Sequence, residues 1–134
     1  MRPRYAPFLW MHGYAAPVTS AAEAQAALAA RAPDERFPHY WVQTFLGGDL
    51  GRTLLLAGRL DDAIRELRGS ARACVVLDFP IESTHAMYWL GVALEQTGNQ
   101  PAACKLYGSV LGTWGHANRI YLRSALMRCV KRVS

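Results

Sequence analysis

The residues able to do chemistry are few. Asp61 and Asp62 are adjacent carboxylates, Ser83, Thr84 and His85 set two hydroxyls beside an imidazole, His116 adds a second imidazole, and Cys74, Cys104 and Cys129 are the only thiols. An acid–base pair, a hydroxyl nucleophile or a soft metal site could each be assembled from such groups. The spacing argues against all three. Neighbours on a helix diverge by about 100°, so Asp61 and Asp62 cannot face one substrate, and carboxylates in a first helical turn have a plainer role beside the exposed amides. A nucleophile and its base come from separate places in a chain, whereas a serine before a helix is an ordinary cap, the role expected of Ser83. The cysteines are odd in number and lack the paired spacing of a zinc or haem site. They are expected as small packing residues, with a disulfide or metal between two neighbouring helices as the alternative. No H-E-x-x-H, G-x-S-x-G or phosphate-loop pattern occurs, and the chain is expected to be non-catalytic, with no cofactor and no metal.

A second candidate surface is electrostatic. From Pro101 to Ser134 the chain carries Lys105, Arg119, Arg123, Arg128, Lys131 and Arg132 and no acidic residue, within a net charge of +5. Such an end could meet nucleic acid, although cations also favour helix C-termini and no nucleic-acid motif accompanies the charge.

The elements that must position these residues are helical. With 51% hydrophobic and 19% charged residues among 134, the chain can build one ordered domain, spanning 1–134. The uncharged segment Tyr5 to Ala22 holds Pro7, Pro17 and His12, which makes a poor membrane span. Arg2 and Arg4 before Phe8-Leu9-Trp10 imitate a signal sequence only in part, so a cytoplasmic location is expected.

In chain order, residues 1–38 read as an irregular helix pair. Phe8 to Tyr14 form an apolar cluster, then Ser20 and Glu23 spell a capping box that opens an alanine-rich helix from Ala21 to about Arg31. A proline-bounded loop, Ala32 to Pro38, leads into a helix carrying Trp41, Phe45, Leu50 and Leu54, with Gly47-Gly48 inside it as a place for crowding or a kink. Gly58 ends that helix, and the next runs through Ile64 and Leu67 to about Leu77. A second pair spans Glu82 to about Trp114, turning at Gly98, with Asn99 as cap and Pro101 in the first turn. Ile120, Leu122, Ala125, Leu126, Cys129 and Val133 mark a closing helix over 118–134.

The two pairs, over 39–79 and 80–117, repeat one pattern. Leu50-Gly51, Leu54, Gly58, Ala63, Leu67 and Ser70 return forty residues later as Leu90-Gly91, Leu94, Gly98, Ala103, Tyr107 and Val110. This spacing resembles the tetratricopeptide repeat, with Met87 where that pattern has its large aromatic residue. The resemblance implies an all-α fold: antiparallel helix pairs stacked as a short right-handed superhelix, with about seven helices. The block A-G-R-L-D-D-A-I-R-E-L, with W-L-G-V-A-L-E and A-A-C-K-L-Y, looks like the C-terminal repeat segment of bacterial eukaryotic-like serine/threonine kinases. None of the kinase motifs is present, so what is implied is a partner-binding scaffold or adaptor in bacterial signalling, with no phosphoryl transfer.

In that family the first helix of each pair lines a concave face that holds a peptide or partner helix. By register this implies Phe45, Arg52 and Leu55 in the first copy, and His85, Tyr88, Trp89, Val92 and Glu95 in the second, bordered by Arg119 and Arg123. Tyr88 and Val92 stand where the carboxylate-clamping version of the groove has Lys and Asn, and aromatic anchors beside arginine suit a protein partner. The expected function is thus protein–protein interaction. The alternatives are a ligand- or metal-binding helical domain and nucleic-acid binding through the basic C-terminal helix. Two repeats are few for a stable stack, so self-association into a homo-oligomer is a further expectation.

Overall fold

A computed structural model describes residues 10, 15, 17–31, 42–72, 80–114, 124–125 and 127–129, with backbone alone for 42–47 and 114. The described residues form helices and no strands. Five helices are delimited: α1 (Ala21–Ala30), α2 (Val42–Leu56), α3 (Leu60–Arg72), α4 (Pro80–Gln96) and α5 (Gln100–Trp114), followed by helical residues within 124–129. The other helices in the expected seven fall on segments outside the described residues, as do the loop over 32–38 and most of the closing helix.

Helix α1 begins where its capping box places it. The Ser20 hydroxyl accepts from the Glu23 amide, and the Glu23 carboxylate reaches back to the amides of Ser20 and Thr19. These contacts hold the Glu23 carboxyl below the ordinary glutamate range, the Thr19 backbone amide being the largest influence. Against α1 lies Trp10, whose indole N–H donates to Ala27 O at 2.7 Å while the Arg31 guanidinium covers its ring at 5.7 Å.

The centre of the molecule is a hairpin built twice. Helices α2 and α3 meet at Gly58 and helices α4 and α5 at Gly98, with φ of 80° and 83°, the left-handed conformation that glycine adopts without strain. Both turns are closed by the same bonds. Arg59 N–H donates to Leu54 O and Asn99 N–H to Leu94 O, each at 2.9 Å, while Gly58 and Gly98 donate to Leu55 O and Glu95 O at 3.0 and 3.1 Å. This pairing satisfies carbonyls that a helix end otherwise leaves exposed. Asn99 caps α5 by accepting from the Ala102 amide at 3.4 Å. The buried positions coincide as well, Leu50 with Leu90, Leu54 with Leu94, Ala63 with Ala103, and Leu67 with Tyr107.

Two glycines fix how closely each hairpin closes. A methyl group on Gly51 would lie 2.4 Å from Leu67 Cγ, and one on Gly91 would lie 2.5 Å from Tyr107 Cε1. Each large side chain therefore occupies a notch left by the missing Cβ of the facing helix. Helix α4 packs against both α2 and α3, so the second hairpin stacks on the first. Gly48 sits at that crossing, but a methyl there would meet Ala86 Cβ at 3.8 Å, an ordinary contact, and α2 runs through the glycine pair as one helix. The expected crowding at Gly47-Gly48 is thus absent on the Gly48 side.

Two expectations need correction. Helix α4 starts at Pro80, two residues ahead of the expected Glu82, because the ring that stops a preceding helix also suits the first turn of the next. Ser83 therefore lies inside α4, buried, and is not a cap. For the cysteines the alternative applies: Cys104 and Cys129 pack in or against the core and also form a disulfide, Cα to Cα 5.7 Å across a sequence separation of 25. Cross-linking a loop of that size stabilises a fold by about 3 kcal/mol through the unfolded chain's lost freedom. Cys74 lies outside the described residues.

The notches give a directional prediction. Gly51→Ala and Gly91→Ala each lower the unfolding free energy by about 1–3 kcal/mol through overpacking, even though alanine is the better helix former. Gly48→Ala raises it by about 0.5–1 kcal/mol. Urea denaturation of the three variants measures both signs.

Candidate functional site

The candidate face is carried by the first helix of each hairpin, α2 and α4, which lie side by side. Because the hairpins share one register, residues forty apart occupy matching places: Phe45 with His85, Arg52 with Val92, Leu55 with Glu95. The structure divides these candidates into engaged and exposed groups. Arg52 donates from Nη2 to Ala15 O at 2.9 Å and approaches Asp49 Oδ1 at 3.7 Å, so its guanidinium ties α2 to the segment before α1. Leu55 is buried at 5% exposure and belongs to the core. The Phe45 side chain, Arg119 and Arg123 lie outside the described residues.

On α4 the face is open. His85 is exposed, and Tyr88, Trp89 and Val92 are half-buried, resting on the core without being enclosed by it. Tyr88 and Trp89 meet edge to face with centroids 5.2 Å apart, and Tyr88 leans on the buried Tyr107 ring at 6.0 Å. Aromatic side chains fixed in this way offer contact area at little further entropic cost. The arrangement is an aromatic step along one side of α4.

Glu95, at the end of the same face, is engaged within the chain. Arg128 grips it with two bonds, Nε to Oε1 at 2.9 Å and Nη2 to Oε2 at 3.2 Å, and the Tyr107 hydroxyl donates to Oε2 at 3.0 Å. The Arg128 hydrogen bond is the main reason that the Glu95 carboxyl titrates below its ordinary range, against a smaller opposing effect of burial. Burial, then the bond to Glu95, pushes the Tyr107 phenol well above the usual tyrosine range, and the Arg128 guanidinium is raised in turn. Gln100 sits beside this network, its amide 3.7 and 3.8 Å from the sulfurs of Cys104 and Cys129. The ion pair and the disulfide thus fasten the helical residues near 128 to α4 and α5 at adjoining points.

The ion pair was not visible in the sequence, since Glu95 and Arg128 are 33 residues apart and nothing local links them; a disulfide between neighbouring helices was the alternative for the cysteines, with no pair singled out. The one available signal was that Cys104 and Cys129 fall on apolar positions of consecutive helices. The groups that could have made a hydroxyl–imidazole site are parted: Ser83 is buried with its oxygen unpartnered, Thr84 Oγ1 donates to Pro80 O at 2.6 Å, and His85 faces outward. Asp61 is exposed, while Asp62 takes Arg59 on one side and Arg65 at 3.1 Å on the other. Among the described residues no three His, Cys, Asp or Glu side chains are grouped to hold a metal ion, and no helix is long and apolar enough to cross a membrane. His116, Lys131 and Arg132 lie outside the described residues.

Comparison with known proteins returns no matching family model, no matching curated protein and no matching solved structure.

The Glu95 network sets a pH dependence. A carboxyl with a depressed folded-state pKa adds stability that is complete above its unfolded value and is lost as pH falls through the folded one. Thermal melts of the wild type are expected to drop as pH falls below about 4. Melts of Glu95→Gln should start lower at neutral pH and show a shallower acid dependence.

Proposed function

We propose that the chain is a non-catalytic protein-interaction module, a short tetratricopeptide-like scaffold or adaptor whose partner docks on the α4 face formed by His85, Tyr88, Trp89 and Val92. The observation that carries this reading is the forty-residue structural repeat, with matching turn bonds and matching glycine notches in both hairpins. Stacked hairpins of this kind expose long helical faces, an architecture suited to holding another polypeptide. In the superhelical arrangement that the tetratricopeptide resemblance implies, this face is the concave one. The kinase-like resemblance adds a regulatory appendage in bacterial signalling as the setting.

Arg52, Leu55 and Glu95 enter this proposal as supports of the face, since each is held by the chain's own contacts. Self-association by stacking has one supporting feature, Met127, 58% exposed at the last described helical stretch. Nucleic-acid binding through the C-terminal basic residues is the weaker reading, because Arg128 is committed to Glu95. A ligand- or metal-binding helical domain has no side-chain cluster among the described residues to recommend it. The proposed cytoplasmic location applies to the chain with Cys104 and Cys129 reduced; a lasting bond between them favours an oxidising compartment.

Affinity capture from the native cell tests the proposal, using wild type, Trp89→Ala and His85→Ala chains matched for folding by their melting curves. The expected outcome is a protein retained by the wild type and lost with Trp89→Ala, as for an interface anchor worth about 2 kcal/mol or more. Retention by both variants alike would contradict the placement of the site, and capture of nucleic acid alone would contradict the function.

A further inference from the structure

A second concave surface lies away from the α4 aromatic step. Between α3 and the turn that joins α4 to α5 is a cleft of about 760 Å³, and none of the ten residues expected to bind a partner lines it. Arg65, Arg68 and Arg72 form one wall, Thr97 and Asn99 the other, and Ile64 with Leu94 lie between them. Among the described residues, Asp61 is the single acidic residue at the cleft.

The arginines are spaced three and four apart, which sets them in one row on the helix. Arg65 is drawn to Asp62 at 3.1 Å. Arg68 and Arg72 are exposed and have no carboxylate partner among the described residues. Like charges at this spacing lower the stability of a helix by roughly 0.2–0.5 kcal/mol per pair, which Arg65 offsets beside Asp62 and Arg72 offsets in the helix's last turn. A guanidinium is also suited to gripping a carboxylate with two parallel bonds. The opposite wall offers one group of each kind: Asn99 Oδ1 is taken by the Ala102 amide, which leaves its NH2 to donate, and Thr97 Oγ1 donates to Leu94 O, which leaves its lone pairs to accept. Those are the needs of a peptide backbone.

We propose that this cleft binds an extended acidic segment of another protein, of the pattern acid–apolar–acid. The row from Arg65 to Arg72 spans roughly 10 Å at 1.5 Å per residue. An extended peptide places alternate side chains about 6.6 Å apart on one face, within reach of that row. Its central apolar side chain rests on Ile64 and Leu94, its two carboxylates meet the arginine rim, and its backbone meets Thr97 and Asn99. Charge complementarity selects this occupant over a basic or neutral one, and the apolar floor selects it over a free anion. The inference is independent of the α4 face, which can fail without it.

The test is fluorescence polarisation with a labelled synthetic peptide carrying a Glu-Leu-Glu centre between Gly-Ser flanks, added to the full chain at low ionic strength. Saturable binding is expected, weakened about tenfold or more by Arg68→Ala with Arg72→Ala, a change near 1.4 kcal/mol, and unchanged by Trp89→Ala. Both arginines are exposed, so the double variant folds, which its melting curve checks. A Lys-Leu-Lys peptide should not bind, and Glu-Ser-Glu should bind less well than Glu-Leu-Glu. Equal binding of the three peptides, indifference to the arginine substitutions, or displacement of the peptide by a single-stranded oligonucleotide at lower concentration would each overturn the proposal.

Discussion

The structure depends on a large side chain seated where a helix lacks a Cβ. Leu67 against Gly51 and Tyr107 against Gly91 bring the axes of each hairpin close enough for the leucines and alanines on both sides to exclude water. Leu67 and Tyr107 are wholly buried, and a leucine so placed contributes about 1.5–3 kcal/mol in area removed from water. The polar network of the second hairpin starts from this contact. Tyr107 can reach Glu95 only because its ring passes beside Gly91, and Glu95 then orients Arg128. One fully buried ring thus links the hairpin's closure to the attachment of the following helical segment.

The repeat makes the two copies similar in backbone but not in chemistry. Where the first has Leu67 the second has Tyr107, and that hydroxyl converts a purely apolar seat into the start of a polar network. Where the first has Leu55, buried, the second has Glu95, half-buried and paired. Where the first has Gly48 and Asp49, the second has Tyr88 and Trp89. The second copy thus carries Tyr88 and Trp89 on the outer side of α4, while Arg52 of the first is turned to the segment that carries Ala15. Among the described residues, this difference puts the half-buried aromatic pair on α4.

Much of this was legible from spacing. A glycine must stand where φ is positive, so Gly58 and Gly98 located both turns, and the Leu-Gly steps located both close approaches. The capping box at Ser20 and Glu23 fixed the start of α1. What spacing could not reveal was any contact between distant residues. The disulfide, the Glu95–Arg128 pair and the Arg52 bond to Ala15 O each join segments that no local pattern connects. The start of α4 lies two residues before the expected Glu82 for a different reason: a proline such as Pro80, which cannot continue a helix, is at home in the first turn of one. The row Arg65, Arg68 and Arg72 was readable on α3, but its opposite wall exists only once the hairpins are stacked.

A double-mutant cycle at each notch tests the account most directly. In the wild-type background Gly51→Ala costs stability because its methyl meets Leu67; in a Leu67→Ala background the same substitution should become neutral or stabilising, and Gly91→Ala should behave likewise once Tyr107 is replaced by Ala. The expected coupling is about 1–3 kcal/mol at both notches. Additive effects within about 0.5 kcal/mol at either would contradict the claim that one seated side chain closes each hairpin.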